Sequence, residues 1–172
     1  MPNWCENVLT VRAENRDRLL EVLSEIGHEK SPLDFAAIIP EPDTETYRES
    51  QVGPGAFPEW YEWRVANWGT KWNAGDVEMS ESEAQAVFTF NTAWSPPVPV
   101  IEQLAEKYPD LIVSLAYDEP GMDFGGYTVM RGDEQLAGGE GGSRITTWAD
   151  AADNELDYLL YLDDKAKREA VS

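Results

Sequence analysis

The stretch DVEMSESEAQAVFTFNTAWSPPVPVIEQLAEKYPDLIVSLAY, Asp76 to Tyr117, decides the fold. Asp76 to Ser80 and Ala84 to Thr92 read as two strands joined by an acidic turn around Glu81 to Glu83, and Phe88 and Phe90 share one face of the second. Past Trp94, Ser95 is placed to cap a helix with Pro96 at its first position. Ile101, Leu104, Ala105 and Tyr108 give that helix its apolar stripe, and Pro109 ends it. Leu111, Val113, Leu115 and Tyr117 then alternate as a strand does. The run is strand, strand, helix, strand.

Working towards the N-terminus, Cys5 to Val11 is a strand, Asn15 is placed to cap a helix, and Leu19, Val22, Leu23 and Ile26 recur at helical spacing before Gly27. From Ser31 to Pro58 the chain is rich in Pro, Gly and acids, and only Phe35 to Ile39 is suited to packing. Phe57 to Asn67 reads as a short helix that presents Trp60, Arg64 and Trp68 one turn apart. Trp68 to Trp72 alternates, so that Trp68, Thr70 and Trp72 fall on one face of an extended segment. Towards the C-terminus, Glu119 to Gly121 is a turn with Gly121 free to take positive φ. Tyr127 to Arg131 and Gln135 to Ala137 form a hairpin around Gly132 and Asp133, and Gly138 to Gly142 is a flexible join. Asp153 to Arg168 is an acidic helix with Ala152, Leu156, Leu159 and Leu160 on one side.

Set aside the long connection and the order is βαββαβ. The expected fold is therefore α+β and ferredoxin-like: an antiparallel sheet with helices on one face, a long aromatic insertion after the first helix (about 31–75), an extra C-terminal hairpin and an acidic C-terminal helix. Residues 1–142 form the decorated domain and 143–172 the acidic helical extension. The second sheet face needs a cover or a partner, and the insertion and the terminal helix are the candidates.

The 172 residues suit one domain with an appendage. Thirty-three acids against 13 bases give a net charge of −20, which repels phosphate backbones and anionic membranes, so no direct contact with a nucleic-acid backbone is expected. Cys5 is the only cysteine, which excludes an internal disulfide and a Cys-based zinc site and fits a reducing compartment. MPNWCENVL has no basic leader, and no apolar run reaches the roughly 20 residues of a membrane span. The expected location is the cytoplasm.

Three motifs and a few single residues invite a chemical reading. In NWGTKW (Asn67 to Trp72) the indoles and Lys71 offer a stacking or cation–π surface, and with Trp94 they make a candidate ligand surface on the sheet. The competing reading, in which Trp68 and Trp72 plug the core where the insertion returns, is favoured because paired tryptophans at strand spacing usually pack inward. In TAWSPP, Ser95 has no base beside it and reads as a cap. In YDEPGMDFGG, Asp118, Glu119 and Asp123 fit no calcium loop and read as an acidic turn, with Glu119 and Asp123 kept as candidate ligand groups. His28 reads as an exposed helix-end residue. Gly125 and Gly126 lack the context of a phosphate loop, and Cys5 has no activating neighbour. No catalytic residue, cofactor or metal is expected.

NWCEN, NWGTKW, TAWSPP leading into a helix, and YDEPGMDFGG together resemble the YubB-like ferredoxin-like domain family, over about Pro2 to Arg131. The resemblance implies a ferredoxin-like core and an origin on plasmids or phages, and it brings no established activity.

The acids then carry the functional expectation. They gather at Glu41, Asp43, Glu45 and Glu49; at Glu78, Glu81 and Glu83; and at Asp150, Asp153, Glu155, Asp157, Asp163 and Asp164. One reading is solubility or a high-salt source. The other is an accessory protein of a mobile element whose carboxylates imitate duplex DNA and inhibit a host defence or DNA-processing protein. The alternative to both is a small-molecule or nucleic-acid-end binding module built on the Trp-rich sheet surface.

Overall fold

The sheet is built around its first strand. In the computed structural model, which describes residues 2–50 and 58–171, β1 (Trp4–Arg12) pairs antiparallel on one side with β3 (Gln85–Ala93) and on the other with β4 (Ile112–Glu119). β2 (Gly75–Ser82) flanks β3, while β5 (Phe124–Arg131) and β6 (Glu134–Gly141) continue beyond β4, giving the order β2-β3-β1-β4-β5-β6. The first four strands and the helices α1 (Arg16–Ile26) and α5 (Val98–Lys107) form the ferredoxin-like unit that the sequence predicts.

Strand pleating sorts the side chains. Leu9 stands opposite both Phe88 and Leu115, and Val11 opposite Ala86 and Val113, so these odd positions of β1 lie in one layer with Leu19, Val22 and Ile26 of α1 and Ile101 and Leu104 of α5. Asn15 caps α1 through the amide of Arg18 at 2.9 Å. The insertion carries α2 (Phe35–Ile38), α3 (Glu45–Ser50) and α4 (Glu59–Trp68) and joins the same layer through Phe35, Ile38 and Trp68. It packs more of itself than Phe35 to Ile39, since Leu33 and Tyr47 are also buried. Arg64 lies 5.1 Å from the ring centroids of both Trp60 and Trp68, the one-turn spacing expected of α4. Phe57, the first residue of that expected helix, lies outside the described residues.

The insertion therefore does not cover the second sheet face. That role falls to α6 (Ile145–Val171), whose Leu156 meets Ile112 of β4 and Val129 of β5. α6 begins eight positions before the expected Asp153. The glycine run before it is not a join: Gly138 to Gly141 belong to β6. Their missing side chains leave room for Trp148 of α6, whose ring would stand 3.1 Å from a Cβ at Gly141, while a Cβ at Gly125 of β5 would come within 2.6 Å of its indole nitrogen.

Three local expectations are corrected. Trp68 to Trp72 is not extended: Trp68 ends α4, Gly69 turns the chain with φ 78°, and Trp68 is buried whereas Trp72 is exposed. α5 starts at Val98, with Pro99 in its first turn, and Ser95 caps nothing; its hydroxyl donates to the Gly69 carbonyl at 2.5 Å. In the turn after β4 the positive φ falls on Asp123, at 54°, and not on Gly121. No described helix is long and apolar enough to cross a membrane.

Candidate functional site

All four motifs meet at one end of the sheet. β1 starts there, and β3 and β4 end there: Trp4 stands opposite Ala93, Glu6 opposite Asp118, and the Trp94 amide donates to the Asn3 carbonyl at 2.9 Å. α4 delivers NWGTKW to the same place. Gly69 is required twice over, because its φ is left-handed and because a Cβ would lie 2.8 Å from Pro99 Cδ.

Hydroxyls and one amide tie the motifs together. Asn7 Nδ2 donates to Thr92 Oγ1 at 2.9 Å, Thr92 Oγ1 donates to the Ser95 carbonyl at 2.7 Å, and Ser95 continues to Gly69. Thr70 Oγ1 donates to the Ala93 carbonyl at 2.9 Å. Thr70, Thr92 and Asn7 are buried, so each bond spares a polar group the cost of desolvation without a partner. Cys5 sits beside them with its thiol pushed up to about 12, chiefly by burial. It is a free thiol held within the core, out of contact with solvent.

Outside this polar knot lies an aromatic surface. Lys71 Nζ is 4.3 Å from the ring centroids of both Trp72 and Trp94, and Trp4 packs on Trp72 at 6.0 Å. Trp4, Trp72 and Trp94 are 41%, 38% and 47% exposed, which is unusual for three neighbouring indoles. Trp94 holds φ 68°, a left-handed conformation that costs a bulky residue about 1–2 kcal/mol. Its ring is thus placed over Lys71 against local backbone preference.

The structure divides the sequence candidates. Lys71, Trp72 and Trp94 come together, joined by Trp4, which sequence spacing alone gave no reason to include. Trp68 is withdrawn into the core, donating its indole N–H to the Ile39 carbonyl at 3.0 Å. Glu119 is buried and accepts from the amides of Gly121 and Met122 at 3.0 and 2.6 Å, so it closes its own turn. Asp123 accepts from the Ser143 amide at 3.0 Å, and buried Asp118 accepts from the Ser143 hydroxyl at 2.8 Å, so these two carboxylates anchor the chain entering α6. His28 is exposed, with Nδ1 accepting from the Lys30 amide.

The acids do not form one surface. Glu41, Asp43, Glu45 and Glu49 belong to the insertion, where Glu41 pairs with Arg64 and Asp43 with Arg48. Glu78, Glu81 and Glu83 belong to the β2–β3 hairpin, where Glu81 pairs with Arg16 at 3.2 Å. α6 carries the rest, on the opposite sheet face from the insertion. Asp163 turns to Arg131 at 2.6 Å, and Glu155 is half-buried. Asp150, Asp153, Asp157 and Asp164 fall on one side of α6, exposed, and none makes an ion pair among the described residues. The Asp153 carboxyl, exposed but partly desolvated, is held above the usual carboxylate range by that desolvation first and then by Asp157 and Asp150. Among the described residues no group of three or more His, Cys, Asp or Glu side chains is arranged to hold a metal ion.

Comparison with known proteins agrees with this architecture. The crystal structure of the protein Api92 from Yersinia pseudotuberculosis is similar in fold, with a TM-score of 0.53 and 11% identity over 84% of this chain and 99% of that one. No curated protein matches the chain. The family whose description reads "ferredoxin-like domain in Api92-like protein" matches residues 67–155, from NWGTKW through β6 and into α6. With more than half of its length matched, and with the ferredoxin-like sheet in place, this chain belongs to that Api92-like family.

Proposed function

We propose that the protein acts by protein–protein contact, presenting the acidic side of α6 to the DNA-binding surface of a basic partner. The observation that carries this reading is the row of Asp150, Asp153, Asp157 and Asp164, exposed and without an ion pair among the described residues, on a helix fixed to the sheet by Leu156. At a rise of about 1.5 Å per residue the row spans about 21 Å. One strand of duplex DNA carries about six phosphates over that length, so four carboxylates form a sparse imitation of one strand. The sequence resemblance to plasmid- and phage-borne proteins supports a role as a mobile-element accessory that inhibits a host defence or DNA-processing protein in the host cytoplasm.

The test is capture from bacterial lysate at low salt, followed by elution with competing duplex DNA or with salt. Mimicry expects DNA-binding proteins to be captured and then released by both. Each Asp→Asn change in the row should weaken capture by a graded amount, because exposed charges act additively and through screening. Recovery of no DNA-binding protein at low salt, or binding that duplex DNA does not displace, sinks the reading.

A second reading rests on Trp72 and Trp94, which flank Lys71, and on Trp4 packed against Trp72, a surface suited to stacking a small planar ligand or a nucleic-acid end. Tryptophan fluorescence against a nucleotide and oligonucleotide panel tests it, and an unchanged spectrum at millimolar ligand ends it.

A further inference from the structure

The helix face of the sheet is covered unevenly. α1 and α5 roof β1, β3 and β4, and the β5–β6 ribbon projects past them, leaving a groove against the first turns of α5. Two cavities of about 520 and 410 Å³ lie along it and share Tyr117 and Glu140 as walls. Phe124 meets Tyr117 edge-on at 6.4 Å. Gly126 makes the space beneath the Tyr117 ring, since a Cβ there would stand 2.6 Å from its hydroxyl. That hydroxyl has no hydrogen-bond partner among the described residues, and its pKa is raised by burial and then by Glu140.

The charge of the groove has one sign. Glu102, Asp133 and Glu140 line it, and among the described residues no Lys, Arg or His does. Aromatic faces beside carboxylates form a good site for an organic cation, above all a guanidinium, which stacks on rings and bonds carboxylates in one geometry.

The groove also opens onto a free sheet edge. β6 is the last strand, and no strand among the described residues pairs with its outer side. Between Gly138 and Gly141 its single side chain is that of Glu140, and beyond Gly138, over which the Gln135 amide folds to donate to the Ala137 carbonyl at 3.4 Å, the strand offers little but backbone. A strand added alongside would set one residue opposite Glu140 with Cβ atoms about 5 Å apart, on the face that bears the groove. Self-pairing through β6 would instead confront Glu134 and Glu140 of two chains that each carry −20.

We propose that β6 accepts an extended basic segment of a partner protein as an added strand, with an arginine of that segment laid against Glu140 and over Tyr117. The site lies on the opposite sheet face from the acidic row of α6 and does not depend on DNA mimicry. Main-chain bonds supply affinity, and the groove supplies the preference for a cation.

The test uses the full chain and a blocked heptapeptide that alternates valine and arginine, with calorimetry for affinity and amide chemical-shift mapping for location. Binding should shift amides of β5, β6 and the start of α5. It should weaken about tenfold in Glu140→Gln, a surface change that leaves folding intact. A peptide N-methylated at alternate positions, or one with glutamate for arginine, should not bind. Asp153→Asn with Asp157→Asn should leave affinity unchanged, which separates this site from the α6 row. Three results would overturn the proposal: no binding at millimolar peptide, shifts confined to α6, or a dimer formed through β6 in sedimentation.

Discussion

Lys71 lies over the face of Trp94, 4.3 Å from its ring centroid, and Trp94 reaches that position only by holding φ at 68°. Two opposing terms follow. The ring contact contributes about 0.5–1 kcal/mol at an exposed site, while the left-handed backbone costs about 1–2 kcal/mol. Trp94→Gly removes both and should be as stable as the parent or slightly more so. Trp94→Ala loses the contact and keeps the backbone cost, and should fall below Trp94→Gly by about 1 kcal/mol in urea titration. Equal stabilities for the two variants would show that the conformation is not strained.

The Asp153 carboxyl on α6 sets a pH dependence opposite to that of most paired acids. Its folded pKa is raised, so the folded chain holds the proton to higher pH than the unfolded chain does. Ionisation therefore works against folding, with no effect below the unfolded value of about 3.9 and full effect above the folded one. Asp153→Asn should stabilise at pH 7 by a few tenths of a kcal/mol, kept small by solvent screening, and should do nothing at pH 3. An effect of equal size at both pH values would refute the electrostatic cause.

Docking of α6 depends on Leu156, buried against Ile112 and Val129. Leu156→Ala should cost about 2–5 kcal/mol and raise hydrogen exchange along α6 first. Leu162, exposed on the same helix, should cost within about 0.5 kcal/mol on the same substitution. Exchange that rises uniformly through the sheet would mean that α6 does not open separately.

Cys5 is buried beside Thr92 with its thiol at about 12. At pH 8 its thiolate fraction is about three orders of magnitude below that of a free thiol. Modification by a disulfide reagent should track global unfolding in denaturant. Rapid labelling of native protein would place the thiol at the surface.

The ferredoxin-like unit was legible because its elements carry strong local periodicity: Phe88 and Phe90, the Ile101 to Tyr108 stripe, and Leu111 to Tyr117. Where reading failed, the cause lay elsewhere in the chain. Trp68, Thr70 and Trp72 alternate like a strand, yet Gly69 turns the chain beneath Pro99, which is thirty positions away. Gly138 to Gly141 show no periodicity because glycine has no side chain to alternate, and the ring that fills their place belongs to Trp148. The acidity was plain from composition, but which acids stay unpaired was not. Arg16 meets Glu81, Arg18 meets Asp110 and Arg131 meets Asp163 across separations that no local pattern encodes. The aromatic site was visible through Lys71, Trp72 and Trp94, whereas Trp4 arrives through strand register, opposite Ala93.

The place of β1 also bears on how the chain is made. β1 precedes both of its neighbours in the chain yet lies between them in the sheet, and those neighbours end at Ala93 and Glu119. A nascent chain that has emerged only as far as α5 holds β1 with one side paired and the other open, and both sides close only once β4 has emerged. Such long-range pairing slows folding and leaves an adhesive strand edge exposed during translation. Ribosome-bound fragments that stop before Glu119 should therefore be the species that engage chaperones.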